Sequence, residues 1–375
     1  MAKARGVTVY VGTRKGAYAV ESDGARRRWK VRGPYHKGND VYQVSPDPRH
    51  PGTVYAGVNS VFFGPQLYRS TDEGRHWKEI APPMMPVSKA RPPPNFDVDP
   101  RTIVRPVKNI WQITPGPENE PKRLFVGIDP ASLYRSDDGG ASWEGVEGLN
   151  AHETRPKWNP GAGGMCLHTI LLDPTRPRRM YVGISAAGMF RTDDGGDHWA
   201  PMNQGVRISF LPEKSPPVGQ CVHKVVLDPA RPETAYRQDH DGIYVSHDSM
   251  EHWRRIGRPL GNDFGFVVTA PRSMPGHAFF MPLDPFPRTA PGGSLQIYDW
   301  NDGTRTWRPT VRKGQFPGDM GVHREGIASD RQDPAGIYLG TTTGDLVVSN
   351  DGGRKWAQVP YRFPSIHSVT VADAA

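Results

Sequence analysis

The chain has 375 residues, a net charge of +8, and 42 glycines with 39 prolines, about a fifth of the whole. That much turn chemistry excludes long helices, and no apolar run approaches the roughly 18 residues that a membrane helix needs. Basic residues are scattered among acidic ones apart from Arg26, Arg27 and Arg28, a solvated surface rather than a nucleic-acid footprint.

In chain order, Met1 to Gly12 pass from two basic residues into an alternating strand pattern with no apolar leader, so a cytoplasmic protein is expected. A motif, Ser/Thr-x-Asp-x-Gly-x-x-Trp, then recurs at Ser70 to Trp77, Ser136 to Trp143, Thr192 to Trp199 and Ser349 to Trp356. Weaker copies end at Trp29, Trp253 and Trp307, with Met250 in the glycine slot of the second. The seven tryptophans lie 48 to 66 residues apart. The 19 residues after Trp356 and the 29 ending at Trp29 restore a spacing of 48, the mark of a ring.

Each unit also carries an apolar-Tyr-x-Gly run or its equivalent before the motif, as in Thr53 to Gly57, Leu124 to Gly127, Met180 to Gly183 and Ile337 to Gly340. A run ending in Asp-Pro or a relative of it lies further upstream, as in Val41 to Pro48, Leu167 to Pro174 and Val222 to Pro229. With the strand after the tryptophan, each unit has four short strands of period-two character. These are propeller blades. The first unit lacks an inner strand, and Ser365 to Ala372 is an inner strand without a blade. The expected fold is therefore all-β: one seven-bladed propeller over residues 1–375, of four-stranded antiparallel blades, with 365–372 completing blade 1.

The repeated motif resembles the Asp-box, or bacterial neuraminidase repeat, superfamily of sialidases, two-propeller xyloglucanases, sortilin-type receptors and photosystem II assembly factors. The resemblance implies a propeller fold and a structural role for the motif: Ser/Thr and Asp oxygens satisfy turn amides, Gly takes a positive φ and Trp covers the hairpin. The Phe/Tyr-Arg-Ile-Pro segment that supplies a carboxylate-binding arginine in sialidases is absent. The resemblance implies two function classes, an assembly or interaction platform and a glycoside hydrolase; a third, a small-ligand site, comes from the residues of the axial mouth.

Chemistry is expected on the face opposite the repeated turns, where long connections fall at Ala81 to Lys108, Gly148 to Met165, Pro201 to Gln220 and Pro309 to Gly321. Aligned inner strands put Tyr42, Trp111, His168, His223, Gly265, Glu325 and His367 at equivalent ring positions. Two residues earlier come Asp40, Asn109, Cys166, Cys221, Asp263, His323 and Ser365. His240 projects from a turn on the same face. His168, His223, His240, Cys166 and Cys221 are candidate ligands for zinc or copper, thiolate and imidazole being the donors such ions select. Two cysteines are too few for a disulfide scaffold.

Glu325, His168 and His223 are the candidate acid/base groups, with metal-assisted hydrolysis or elimination as the matching chemistry. Tyr42, Trp111, Arg14, Asp129, His323 and His367 are candidate contacts to a small polar or anionic ligand. A metal centre, a metal-free ligand site and a wet structural channel all remain open at this level. The expected partner is a small molecule or, on the platform reading, a protein on the long-loop face; neither nucleic acid nor membrane is expected.

Overall fold

The computed structural model describes residues 6–84, 107–161 and 163–373. They form seven four-stranded antiparallel sheets around one axis, each running from an inner to an outer strand. Blade 1 begins with the C-terminal strand Ile366–Asp373, which pairs with Val7–Thr13 from Val7↔Asp373 to Thr13↔Ile366. Ring closure is therefore made by backbone hydrogen bonds. It leaves no blade with an open inner edge. The long connection expected from Ala81 to Lys108 lies almost wholly outside the described residues. No helix among the described residues is long and apolar enough to cross a membrane.

The period-two alternation expected of every strand gives way in the middle of the blades. Val54–Ser60 and Met180–Ile184 are buried almost throughout, because neighbouring blades cover both of their faces. Outer strands shrink to two residues at Glu144–Gly145, Ala200–Pro201 and Arg254–Arg255, which shortens the exposed edges. The glycine of the apolar-Tyr-x-Gly run serves close approach. A Cβ on Gly127 would sit 2.4 Å from the Leu167 carbonyl oxygen in the next blade, and one on Gly340 would sit 2.4 Å from Ile366.

The repeated turns are built alike. In the Thr192 copy, the Oγ1 hydroxyl donates to Asp194 Oδ1 (2.8 Å) and accepts from the Gly196 amide (3.0 Å); Asp194 Oδ1 accepts from the Asp197 and His198 amides. Gly196 has φ +115°, and a Cβ there would meet Val146 at 2.8 Å. The Ser246 copy keeps three of the four bonds although Met250, at φ +71° and fully buried, occupies the glycine slot; the Glu251 amide donates to the Asp248 main-chain carbonyl instead. The His76 amide, with the His76 ring and the Ser70 hydroxyl, holds Asp72 well below the usual carboxylate range. The Ser142 hydroxyl and amide do the same for Asp138.

One irregularity positions the site. The ladder between inner and second strands skips a residue at Tyr42, Trp111, His168 and His223, and the closing strand skips at His367. A bulged residue leaves the strand's alternation and re-aims its side chain. Blade 6 accommodates two residues, Phe266 and Val267, between the pairs Gly265↔Pro282 and Val268↔Phe280. Its ring position therefore belongs to Phe266 rather than to Gly265, one residue earlier.

Candidate functional site

An axial cavity of about 590 Å³ opens on the face opposite the repeated turns and takes walls from blades 2 to 7. Tyr42 and Trp111 meet at 4.1 Å between ring centroids on one side, while Phe264, Phe266 and Phe210 stand on the other. Arg324 lies between the two walls, 5.6 Å from the Trp111 ring and 5.8 Å from the Phe266 ring. Arg288 also lies over the Phe266 ring, at 5.5 Å. Arg324 Nη2 donates to Ser185 Oγ at 3.3 Å, and neither arginine makes an ion pair among the described residues. No Asp or Glu is among the described residues lining this cavity.

The structure separates the two bulged histidines. His168 is fully buried with both ring nitrogens occupied: Nε2–H donates to the Val222 carbonyl (3.0 Å), and Nδ1 pairs with Thr169 Oγ1 (3.0 Å). It latches blade 4 to blade 5 and does not line the cavity, so the expected pairing of His168 with His223 in one site is not formed. His223 makes the analogous latch to blade 6 through Nδ1, 2.6 Å from the Gly265 carbonyl. That leaves Nε2 facing Cys221 Sγ at 3.6 Å. The His240 ring crosses that of His223 at 5.8 Å and packs on Phe264 and Phe210. One donor atom from each of Cys221, His223 and His240 falls within 4.8 Å of the other two. Burial, reinforced by the Arg324 charge, keeps His223 well below its ordinary value.

Cys166 stays out of this group. It is fully buried, its thiol pushed up to about 11 by desolvation, and it shares the Ser185 side chain with Cys221. Glu325 is also elsewhere than expected: both carboxylate oxygens meet Lys224 Nζ, at 2.6 and 2.5 Å. This buried pair crosses from blade 7 to blade 5, beyond the cavity lining, and occupies the carboxylate proposed for acid/base work. Asp239 is likewise buried, against Arg237.

His323 lines the cavity and is pushed down to about 4 by burial and by the charges of His367 and Arg324. His367 stacks on Tyr42 at 5.2 Å, and its Nε2 lies 3.0 Å from Asp40 Oδ1 out of line for a hydrogen bond. Arg14 is exposed beyond the lining, and Asp129 belongs to a neighbouring groove with Lys108, His152 and Arg155, its carboxyl raised by burial.

Sequence reasoning missed Arg324 and Arg288. Arg324 stood between two residues already singled out, His323 and Glu325, and that was its available signal. Arg288 sits in a connection after Pro282 that was not counted among the long ones.

Fold and site thus define a seven-bladed propeller with an axial, arginine-bearing cavity. No family model matches the chain. Over 215 residues it is 25% identical to an oligoxyloglucan-reducing end-specific xyloglucanase of Emericella nidulans, a match covering 49% of this chain and 25% of that protein. The chain therefore spans a fraction of the length of the curated relative it matches. Among solved structures, a GH74 enzyme of Niastella koreensis superposes with TM-score 0.55 at 15% identity, over 96% of this chain and 65% of that one. YCF48 bound to D1 peptide superposes with TM-score 0.52 at 14% identity, over 87% and 84%.

Proposed function

We propose that the protein binds a small, ring-bearing anion, a carboxylate or phosphate ester, in the axial cavity. The observation that carries this is a pair of arginines, Arg324 and Arg288, facing a cavity whose described lining offers them no carboxylate. A guanidinium without an acid partner is suited to a bidentate anion, and the Trp111, Tyr42 and Phe266 rings suit the face of a flat or sugar-like ring. The volume falls within the usual range for small-molecule sites, about 300–1,000 Å³.

The xyloglucanase relatives bring a glycoside-hydrolase reading. That chemistry ordinarily takes two carboxyl groups about 5 to 10 Å apart, and the described cavity lining supplies none. The platform reading is favoured by one feature, the tip Val61, Phe62 and Phe63, each at least 80% exposed in a turn on the cavity face. It expects Phe62→Ser/Phe63→Ser to abolish partner binding and Arg324→Ala to leave it intact.

Calorimetric titration with glucuronate, glucose 6-phosphate and benzoate, beside neutral glucose and benzamide, tests the lead reading. Binding is expected for anions alone, at least about tenfold weaker in Arg324→Ala. Equal binding of the neutral compounds, or anion binding indifferent to that substitution, contradicts it.

A further inference from the structure

We propose that Cys221, His223 and His240 form a three-ligand zinc centre in the wall of the axial cavity, with the remaining coordination position open to the bound anion or to water. The placement rests on the anion-cavity reading; the metal centre rests on its own geometry. Around tetrahedral zinc, bonds of roughly 2.0–2.3 Å put neighbouring N and S donors about 3.6 Å apart, and Cys221 Sγ and His223 Nε2 already stand at 3.6 Å. His240 comes from the turn between the second and third strands of the same blade, where its backbone amide is tied to the Cys221 carbonyl at 3.0 Å. One blade therefore carries all three donors on a hydrogen-bonded frame.

The shell around the donors has the form metal sites require. A ligating imidazole generally donates its other N–H to a fixed acceptor, which sets its tautomer and ring orientation. His223 Nδ1 does this to the Gly265 carbonyl at 2.6 Å. The Ser185 side chain is in hydrogen-bonding reach of Cys221. His168 supplies an internal control, since the same residue type at the equivalent bulge has both nitrogens bound to protein. Three protein donors with a fourth position free is the arrangement of catalytic rather than structural zinc. A Cys-His₂ set also suits blue copper when a methionine stands at a long axial distance, but the described cavity lining contains no methionine.

The test uses untagged full-length protein, metal analysis, and titration of the chelator-stripped protein with Co²⁺ as a spectroscopic probe. One zinc per chain is expected, and Co²⁺ should give a thiolate-to-metal charge-transfer band with tetrahedral ligand-field absorption. Cys221→Ser should abolish the charge-transfer band, and His240→Ala should weaken zinc binding at least about a hundredfold. Cys166→Ser should retain the band. Because His240 lies on a surface turn, its variant stays informative even if Cys221→Ser folds poorly. Absence of stoichiometric zinc after reconstitution, an intense blue copper form in preference to zinc, or a band surviving in Cys221→Ser overturns the centre. Arg324→Ala should lose anion affinity with zinc content unchanged. Anion binding without metal would overturn the centre alone, and metal without anion binding would overturn the cavity reading alone.

Discussion

The two faces of the propeller use polar residues in opposite ways. On the face of the repeated turns, the same hydroxyl-to-carboxylate bond recurs in copy after copy: Asp72, Asp138, Asp194, Asp248 and Asp351 each sit two residues after a Ser or Thr that donates to them. On the cavity face the bulge repeats but the side chain it carries changes, from Tyr42 and Trp111 to His168, His223 and His367. Trp111 Nε1, Arg324 Nε and the His367 ring nitrogens are buried without a hydrogen-bond partner in the protein. A satisfied, repeated polar group holds the fold, whereas the unsatisfied groups around the cavity are available to the proposed ligand.

The contrast breaks most sharply at the tryptophans. Trp253 is almost fully buried, lies 5.4 Å from the Arg237 guanidinium and donates to the Met202 carbonyl. Trp253→Ala is expected to cost about 3–5 kcal/mol in denaturant unfolding, with anion affinity unchanged in the population that remains folded. The Lys224–Glu325 pair tests whether every polar group toward the axis is functional. Glu325→Ala should cost about 3 kcal/mol by stranding a partly buried ammonium. Lys224→Met/Glu325→Leu should recover most of it; a double variant no better than the single would show that the charges themselves are required.

Smaller effects sharpen the comparison. Asp194→Ala removes a half-buried acceptor of two amides and should lower stability by about 1 kcal/mol, read as a shifted midpoint with unchanged denaturant slope. A further effect is pH dependence. Burial pushes His36, packed on Tyr68 and Trp77, down to about 4. A histidine depressed in the folded state binds fewer protons there than in the unfolded chain. Its contribution is complete above its ordinary value near 6.5 and is lost as pH falls through about 4. His36→Gln should flatten the stability profile across that window, and an unchanged slope would show that His36 is not responsible for it.

The architecture was legible in the sequence because a ring repeats its constraints: tryptophan spacing, the Tyr-x-Gly glycine and the lone inner strand each encode one contact many times. The site was legible in part. Strand alignment placed Cys221, His223 and His240 on one face, and the structure brings them together. It gave His168 the same standing, since only the Thr169 hydroxyl and the Val222 carbonyl decide which way that ring turns. Phe266 was hidden by a two-residue bulge, which a one-residue alignment assigns to Gly265. Arg288 was hidden because a connection's reach over the axis depends on tertiary packing.

The most direct test of the division between the faces is a crossed comparison of Arg324→Ala and Asp194→Ala, each measured for benzoate affinity and unfolding free energy. Arg324→Ala should lose at least about tenfold in affinity without loss of stability, because it removes a half-buried charge that has no acid partner; Asp194→Ala should keep its affinity and lose stability. Loss of binding in Asp194→Ala with Arg324→Ala unaffected would contradict the account.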